Sequence, residues 1–158
     1  MSIESYLSVP NIKGEAANPN FKDQIAIRSF SWGGEQASSM GIASGGSGAG
    51  KVTMHPMSIT KEVDKATSPL FNAMSVGTHF DTVTLSAVKA GATKPYLVVT
   101  LSNAFIASLQ FSATDEVPVE SVSLTYGEIC IEYWQQDNKG TLTSTGKKCF
   151  NVQTNQSK

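Results

Sequence analysis

The sequence predicts a mainly β fold, a small two-sheet β-barrel with one short flanking α-helix and a long glycine-rich loop. Apolar and polar residues alternate along two long segments, residues 96–111 and 119–135, and a period of two is typical of half-buried strands. In several segments the apolar side changes midway at a proline or a glycine, as happens where bulged strands bend around a barrel. Only one segment combines helical spacing with helix-end signals.

The N-terminal half begins with a short extended segment, residues 5–10, followed by turns and a polar loop. Two strands are then predicted, residues 25–32 and 51–60. The apolar side of the first strand changes near Arg28, and that of the second changes at Pro56. Because proline cannot donate a hydrogen bond to a β-ladder, Pro56 indicates a bulge or an edge.

The helix is predicted after Thr67, because Thr67-Ser-Pro69 supplies a capping hydroxyl and a proline for the first helical position. Leu70, Ala73 and Met74 follow at helical spacing. Gly77 is expected to end the helix in a left-handed conformation. With about two turns at 3.6 residues per turn, such a helix needs a sheet to pack against.

The C-terminal half is predicted to contain only strands. Residues 82–89 form one strand, and residues 119–135 form a long strand whose apolar side changes at Gly127. Residues 137–140 are predicted to form a hairpin turn. Residues 147–152 can form a last strand, after which a polar tail of residues 153–158 is expected to fray.

Residues 38–50 form a glycine-rich loop that is too long for a tight hairpin turn. Gly45 to Lys51 match the first seven positions of the phosphate-binding pattern G-x-x-x-x-G-K-[ST]. However, Val52 replaces the hydroxyl residue that holds magnesium, and no helical pattern follows. A phosphate- or nucleotide-binding role for the loop and Lys51 therefore remains an alternative. The other interpretations are a plain connector and a segment that orders only against a neighbouring subunit.

Composition narrows the possible functions. The 158 residues suit a single domain over residues 1–158, and the 12 basic and 13 acidic residues leave a net charge of −1, which does not favour nucleic-acid binding. Charged residues make up only 16%, below the usual quarter, and this favours self-association. The N-terminus has no signal-peptide pattern and no apolar run could cross a bilayer, so we expect a cytoplasmic chain without membrane insertion.

The chemistry-bearing residues do not form a recognisable constellation. Cys130 and Cys149 are interpreted as buried free thiols, although pairing between adjacent strands stays open. His55 and His79 lie in no catalytic motif, so we expect no enzyme, no cofactor and no metal. From the residues alone, a monomeric β-barrel binding module and an assembling protein both remain possible.

Seven segments resemble, in order along the chain, the Hcp (haemolysin-coregulated protein) family of bacterial type VI secretion. They are residues 12–15 (Ile-Lys-Gly-Glu), 30–33 (Phe-Ser-Trp-Gly), 48–52 (Gly-Ala-Gly-Lys-Val), 60–65 (Thr-Lys-Glu-Val-Asp-Lys), 67–70 (Thr-Ser-Pro-Leu), 77–80 (Gly-Thr-His-Phe) and 89–91 (Lys-Ala-Gly). The resemblance covers most of the chain, and the region after Lys139 is the least similar.

The resemblance implies a two-sheet β-barrel with a flanking helix and a structural function. Six subunits are expected to form a ring, and stacked rings to form the inner tube of a contractile injector. The implied partners are other copies of this chain, a spike protein, a sheath protein and small effector proteins in the lumen. The tube is expected to leave the cell without a signal peptide.

The glycine-rich loop is the candidate for ring stacking, because stacking needs an element that reaches along the tube axis. Met40 and Ile42 are the hypothesised apolar contacts, and contact with the next ring must offset the entropy of ordering the glycines. The candidate residues are Ser38, Ser39, Met40, Gly41, Ile42, Gly45, Gly46, Gly48, Gly50 and Lys51.

Overall fold

Strand pairing dominates the computed structural model, which describes residues 2–38, 49–114 and 117–158. In the described residues, eleven strands form one antiparallel sheet and two more form a separate ribbon. The strands are β1 (Ile3–Ser8), β2 (Ile25–Ile27), β3 (Ser29–Ser31), β4 (Gly34–Ser38), β5 (Ala49–Met54), β6 (Met57–Glu62), β7 (Phe80–Lys89), β8 (Leu97–Ser112), β9 (Val119–Thr125), β10 (Glu128–Gln136), β11 (Leu142–Ser144), β12 (Lys148–Asn151) and β13 (Gln156–Ser157). The helix α1 spans Thr67–Val76. The predicted mainly β fold with one helix is confirmed.

The large sheet has two layers that share the long strand β8. The first layer runs in the order β13-β12-β10-β8-β7-β1-β2, and the second in the order β3-β6-β9-β8. The strand changes partner at Asn103, which has a positive φ of 51°. The described strands therefore form two joined layers that do not close into a complete barrel.

Gly127 breaks the long strand predicted for residues 119–135 into β9 and β10. Its N–H lies 3.0 Å from the Ser102 carbonyl oxygen and 3.2 Å from that of Asn103, so this break coincides with the bend in β8. A Cβ at Gly127 would lie 3.4 Å from the Asn103 side chain. The change of apolar side predicted at Gly127 is confirmed, and close packing is its cause.

The two layers and α1 enclose the main core. Leu7, Ile25, Ile59, Leu85 and Leu124 are each at most 1% exposed. A smaller cluster of Tyr6, Ala16, Phe21 and Val88 lies outside it, and there the Tyr6 and Phe21 rings stack with centroids 4.7 Å apart.

Both strands predicted in the N-terminal half are divided in the structure, at the positions where the apolar side was predicted to change. Arg28 separates β2 from β3, and its N–H donates to the Thr60 carbonyl at 2.7 Å. Pro56 separates β5 from β6. Only β6 belongs to the large sheet, so the segment predicted as one strand is divided between the body and the ribbon.

The helix has the predicted C-terminal end and a different N-terminal end. Gly77 has φ 69° and ψ 36°, and its N–H faces the Ala73 and Met74 carbonyls. Ala66 is the N-terminal flanking residue, Thr67 is the first helical residue, and the proline is the third. The predicted cap was wrong because the Thr67 hydroxyl accepts instead from the N–H of Asp64, outside the helix, at 3.0 Å.

The C-terminal segment departs from two expectations. Cys130 and Cys149 form a disulfide, so the preference for free thiols was wrong. Their strands β10 and β12 pair with the two cysteines directly opposite each other, which their separation of 19 residues could not reveal. The tail is paired instead of frayed, since β13 bonds to β12 through backbone groups that composition does not report.

The turn between β10 and β11 is as predicted. The Asp137 carboxylate accepts from the N–H groups of Lys139 and Thr141 at 2.8 and 2.9 Å, and Gly140 has φ 83°. Within the described ranges, no helix is long and apolar enough to cross a membrane.

Candidate assembly surface

The ribbon of β4 and β5 stands apart from the large sheet. Its strands pair with each other, as in Glu35 opposite Thr53 and Gln36 opposite Val52, and with no other described strand. Glu35, Gln36 and Thr53 are exposed. A lone two-stranded ribbon is marginally stable in water. We therefore expect this ribbon to gain stability by contacting another surface.

The base of the ribbon is anchored through one tyrosine. The Trp32 indole N–H donates to the Tyr126 hydroxyl at 2.6 Å, and that hydroxyl donates to the His55 carbonyl at 2.7 Å. The His55 N–H in turn donates to the Gly33 carbonyl at 3.0 Å. Trp32 and Tyr126 also pack against the main core, so the anchor is rigid. Burial raises the pKa of Tyr126, which keeps this hydroxyl protonated as the donor.

The candidate stacking residues lie at the far end of this ribbon. Ser38 ends β4, while Gly50 and Lys51 belong to β5. The other candidates lie in residues 39–48, outside the described residues; they are Ser39, Met40, Gly41, Ile42, Gly45, Gly46 and Gly48. The two strands thus pair the residues at both ends of the predicted loop, with Ser38 opposite Ala49.

Lys51 lies in a setting that differs from a phosphate-binding loop. It is an exposed residue of β5, and Val52 continues the same strand. A phosphate-binding lysine instead sits where the glycine loop opens a helix, whose N-terminal N–H groups bind the anion. The position of Lys51 within a strand therefore does not favour the nucleotide-binding alternative.

The second layer of the sheet presents hydroxyl groups on its outer face. Alternation places Ile59 and Val122 in the core, so their strand neighbours face outward. Two rows of aligned residues cross the four strands; they are Ser31, Ser58, Ser123 and Ser108 in one row, and Ser29, Thr60, Ser121 and Gln110 in the other. Within the first row, the Ser58 and Ser123 hydroxyls lie 3.4 Å apart. The rows give the face a polar and uncharged centre.

This same layer has an unpaired strand on each side in the described structure. β3 pairs only with β6, and residues 105–112 of β8 pair only with β9. The β8 segment also carries two exposed aromatic side chains, Phe105 at 37% and Phe111 at 57% exposure. An unpaired strand edge is a template for a strand from another chain. Because the two edges differ, they suit a head-to-tail contact between copies.

A buried ion pair lies beneath this layer. Lys61 and Glu120 are both 0% exposed, and the Lys61 ammonium contacts the Glu120 carboxylate directly. The ammonium also lies 2.9 Å from a carboxylate oxygen of Asp64. The Thr67 hydroxyl donates to Glu120 at 3.1 Å, so the first residue of α1 joins the same network. The network connects the start of the helix to β6 and β9.

The sequence interpretation missed this ion pair, although alternation contained the signal for it. Lys61 continues the inward positions of Met57 and Ile59, and Glu120 precedes the inward Val122. Two opposite charges at core-facing positions predict a buried pair, because a lone buried charge is very costly. Among the described residues, one Glu120 oxygen has no hydrogen-bond partner.

The other ion pairs are at least partly exposed, as for Arg28 with Glu62 at 2.6 Å and Lys158 with Glu128 at 3.6 Å. His55 is exposed, and its imidazole lies 4.0 Å from the Glu35 carboxylate. In the described part of the chain, the one group that combines three possible metal ligands is Glu128, Cys130 and Cys149, and its two sulfurs are joined in the disulfide.

Comparison with known proteins agrees with this geometry. A family model described as "Type VI secretion system effector, Hcp" matches residues 6–133. Protein hcp1 of Pseudomonas aeruginosa is 31% identical over 144 residues, covering 89% of this chain and 88% of that protein. A solved structure described as a type six secretion system protein superposes with a TM-score of 0.92 at 25% identity, covering 99% of this chain and all of the other.

More distant structures share the fold. Hcp1 from Salmonella typhimurium has a TM-score of 0.81 at 23% identity, with 100% of both chains covered. A chain from the sheath-tube complex of an extracellular contractile injection system has a TM-score of 0.58 at 16% identity, covering 82% of this chain and 88% of that one. At these identities the likeness concerns the fold.

Proposed function

Because this chain belongs to the Hcp family and is a structural tube subunit of a type VI secretion system, we propose that six copies join head to tail into a ring and that rings stack into the exported tube. A single Hcp-like domain over residues 1–158 would carry this role. The observation that supports the proposal best is the pair of unlike, unpaired strand edges on the second layer of the sheet.

Ring closure follows from the difference between the two edges. An edge formed by β3 in one copy meets the β8 segment of residues 105–112 in the next, and this heterologous contact closes when its rotation divides a full turn. The exposed Phe105 and Phe111 side chains add apolar area at the junction. Backbone hydrogen bonds would then run from layer to layer around the ring.

The stacking contact belongs to the ribbon. The anchored base fixes one end of the ribbon, and Ser38 and Ala49 pair at its other end, where residues 39–48 connect β4 to β5 in the sequence. We assign the contact with the next ring to Met40 and Ile42, with the glycines and Lys51 as its framework. Burying two apolar side chains contributes about 3–6 kcal/mol per copy, which repeats around the ring.

The hydroxyl rows of the second layer are assigned to the lumen. Six such layers joined edge to edge would give a continuous inner wall. The hydroxyl groups of each layer and the side-chain amide of its Gln110 would then face the channel. A polar wall without charge at its centre suits small effector proteins that must enter and leave. The spike and sheath proteins of the apparatus are the further partners in this proposal.

Solution mass tests the ring. We expect the purified full-length chain to show a six-fold mass by light scattering behind a sizing column or by native mass spectrometry. Ala107→Lys adds a charge to the exposed β8 edge and should reduce the mass to that of one copy. Thr143→Lys makes the same charge change on β11 and should leave the ring intact. A wild-type chain that stays monomeric at high concentration contradicts the ring and favours a monomeric binding module.

Electron microscopy of assembled tubes tests the stacking loop. Met40→Asp with Ile42→Asp should leave single rings and abolish tubes, because carboxylates cannot be buried cheaply between rings. Met40→Leu with Ile42→Val keeps both side chains apolar and should still form tubes. Unchanged tube formation by the double aspartate variant overturns this assignment.

A structural subunit also predicts how the protein behaves towards nucleotides and compartments. A ligand that binds only the folded state adds about 2.7 kcal/mol of stability at a concentration of 100 times its Kd, and this raises the melting temperature. We expect magnesium ATP to leave the melting temperature unchanged, since the chain is proposed to have no catalytic role.

In cells with an active system, the protein should move from the cytoplasm to the medium without losing an N-terminal signal peptide, as mass spectrometry of both pools would show.

A further inference from the structure

The tube function proposed above assigns no role to the disulfide of Cys130 and Cys149. Cys130 lies in β10 and Cys149 in β12, directly opposite each other in the antiparallel register. The family model matches residues 6–133, so it includes the first cysteine and not the second. The pair joins the family fold to the C-terminal strands.

The two sulfurs differ in access. Cys130 is only 5% exposed, in the strand β10 that pairs with β8 and β12. Cys149 is partly exposed, in the strand β12 that pairs with β10 and with the two-residue strand β13. Exchange reactions begin at the sulfur that a reagent can reach. Access therefore singles out Cys149 as the first sulfur to react.

The charged groups near the disulfide form one pair beside both sulfurs. The Lys158 ammonium lies 3.6 Å from the Glu128 carboxylate, and one oxygen of that carboxylate lies 3.5 Å from the Cys130 sulfur. A carboxylate oxygen of Glu128 and the two sulfurs all lie within 4.8 Å of one another. This pair therefore does not distinguish the two thiolates, and the order of reaction rests on access.

We propose that Cys130 and Cys149 form a thiol–disulfide exchange site for low-molecular-weight disulfides of the glutathione class. The Cys149 thiolate attacks one sulfur of the reagent, which forms a mixed disulfide and releases the first thiolate of the reagent. The Cys130 thiolate then attacks the Cys149 sulfur, which forms the protein disulfide and releases the second thiolate. Two protein thiols are oxidised, one reagent disulfide is reduced to two thiols, and the protons of the protein thiols pass through solvent to the two products.

The direct pairing makes the second step fast. The cysteines already face each other, so forming the disulfide needs no change of strand register. Closure fixes β12, and through it β13, to the sheet. If the chain is exported as proposed above, oxidation outside the cell would close this site after the reducing cytoplasm had kept it open.

Intact mass spectrometry of the reduced, full-length chain with oxidised glutathione tests the proposal, and it does so whether or not rings form. The wild-type chain should lose two hydrogens and retain no glutathione. Cys130→Ser should retain one glutathionyl group on Cys149. Cys149→Ser should react on the order of tenfold more slowly, because its remaining thiol is buried. Equal rates for the two variants, or a wild-type chain that stays a dithiol, would overturn it.

A measurement on the wild-type chain avoids any folding defect of the variants. With limiting oxidised glutathione and rapid acid quenching, peptide mapping should find the transient adduct on Cys149. An adduct mainly on Cys130 overturns the assigned order. Hydrogen exchange provides the structural readout, since the amides of Cys149 and Lys158 should exchange about tenfold more slowly after oxidation, and unchanged rates overturn the fixing of β12 and β13.

Discussion

Lys61→Met should strongly destabilise the folded chain. The substitution keeps an unbranched side chain of similar length and removes the ammonium from the network beneath the second layer. Glu120 then stays buried at 0% exposure, with the Thr67 hydroxyl at 3.1 Å as its remaining side-chain donor in the described structure. Removing one partner of a buried ion pair typically costs about 3–5 kcal/mol.

The size of this loss is large relative to total stability. Domains unfold with about 5–15 kcal/mol, so a loss of about 4 kcal/mol removes a quarter or more of the total. With a urea dependence of about 2 kcal/mol per molar, the midpoint should fall by roughly 2 M. Lys61→Met combined with Glu120→Leu removes both charges and should recover most of the loss, because the Glu120 carboxylate is no longer left buried without its cation.

Urea unfolding followed by tryptophan fluorescence measures these differences in one set of experiments. Lys65→Met is the matched control, since it makes the same substitution at an exposed position four residues away, and it should change stability by less than about 0.5 kcal/mol. Two outcomes would refute the reasoning. Lys61→Met could lower the free energy of unfolding by less than about 1 kcal/mol, or the double variant could lose as much stability as the single one.

Three further changes test other parts of the fold. Tyr126→Phe should cost about 1–2 kcal/mol near neutral pH by breaking the anchor of the ribbon. Because burial raises the pKa of Tyr126 above 10.0, the stability that depends on its neutral form is lost only as pH rises past about 10. The difference in unfolding free energy between wild type and variant should therefore narrow above that pH, and a constant difference contradicts this. Reducing the Cys130–Cys149 disulfide should lower stability by about 3 kcal/mol, as expected for a closed loop with a separation of 19 residues, and an unchanged urea midpoint after reduction contradicts this. Gly77→Ala should lower the melting temperature through about 1 kcal/mol of left-handed strain. Gly33→Ala should not lower it, because φ at Gly33 is not positive and, among the described residues, only Gly33 itself and its chain neighbours lie within 4 Å of the new Cβ.

Local patterns predicted much of the secondary structure. Alternation of apolar and polar residues located β8 and the segment that contains β9 and β10, and the breaks at Arg28, Pro56 and Gly127 lie where the apolar side changes. These predictions succeeded because each signal lies within a few residues of the feature it describes. The start of α1 was mistaken because the Thr67 hydroxyl is used by a long-range network, which competes with local capping.

The candidate surface was predictable in part. The long loop was predicted from its length and its glycines, and the described residues at its two ends form the ribbon. The hydroxyl rows were not predictable, because Ser31, Ser58, Ser108 and Ser123 become neighbours only through strand pairing. The unpaired edges likewise depend on which strands meet.

The sequence by itself determined the β-rich class, the positions where the apolar side changes and the family, since these follow from local periodicity, backbone preferences and short motifs. Only the tertiary structure decided that Lys61 meets Glu120 across 59 residues and that Cys130 meets Cys149. Such contacts depend on strand register, and register is set by the packing of the whole core, which no local window of sequence contains.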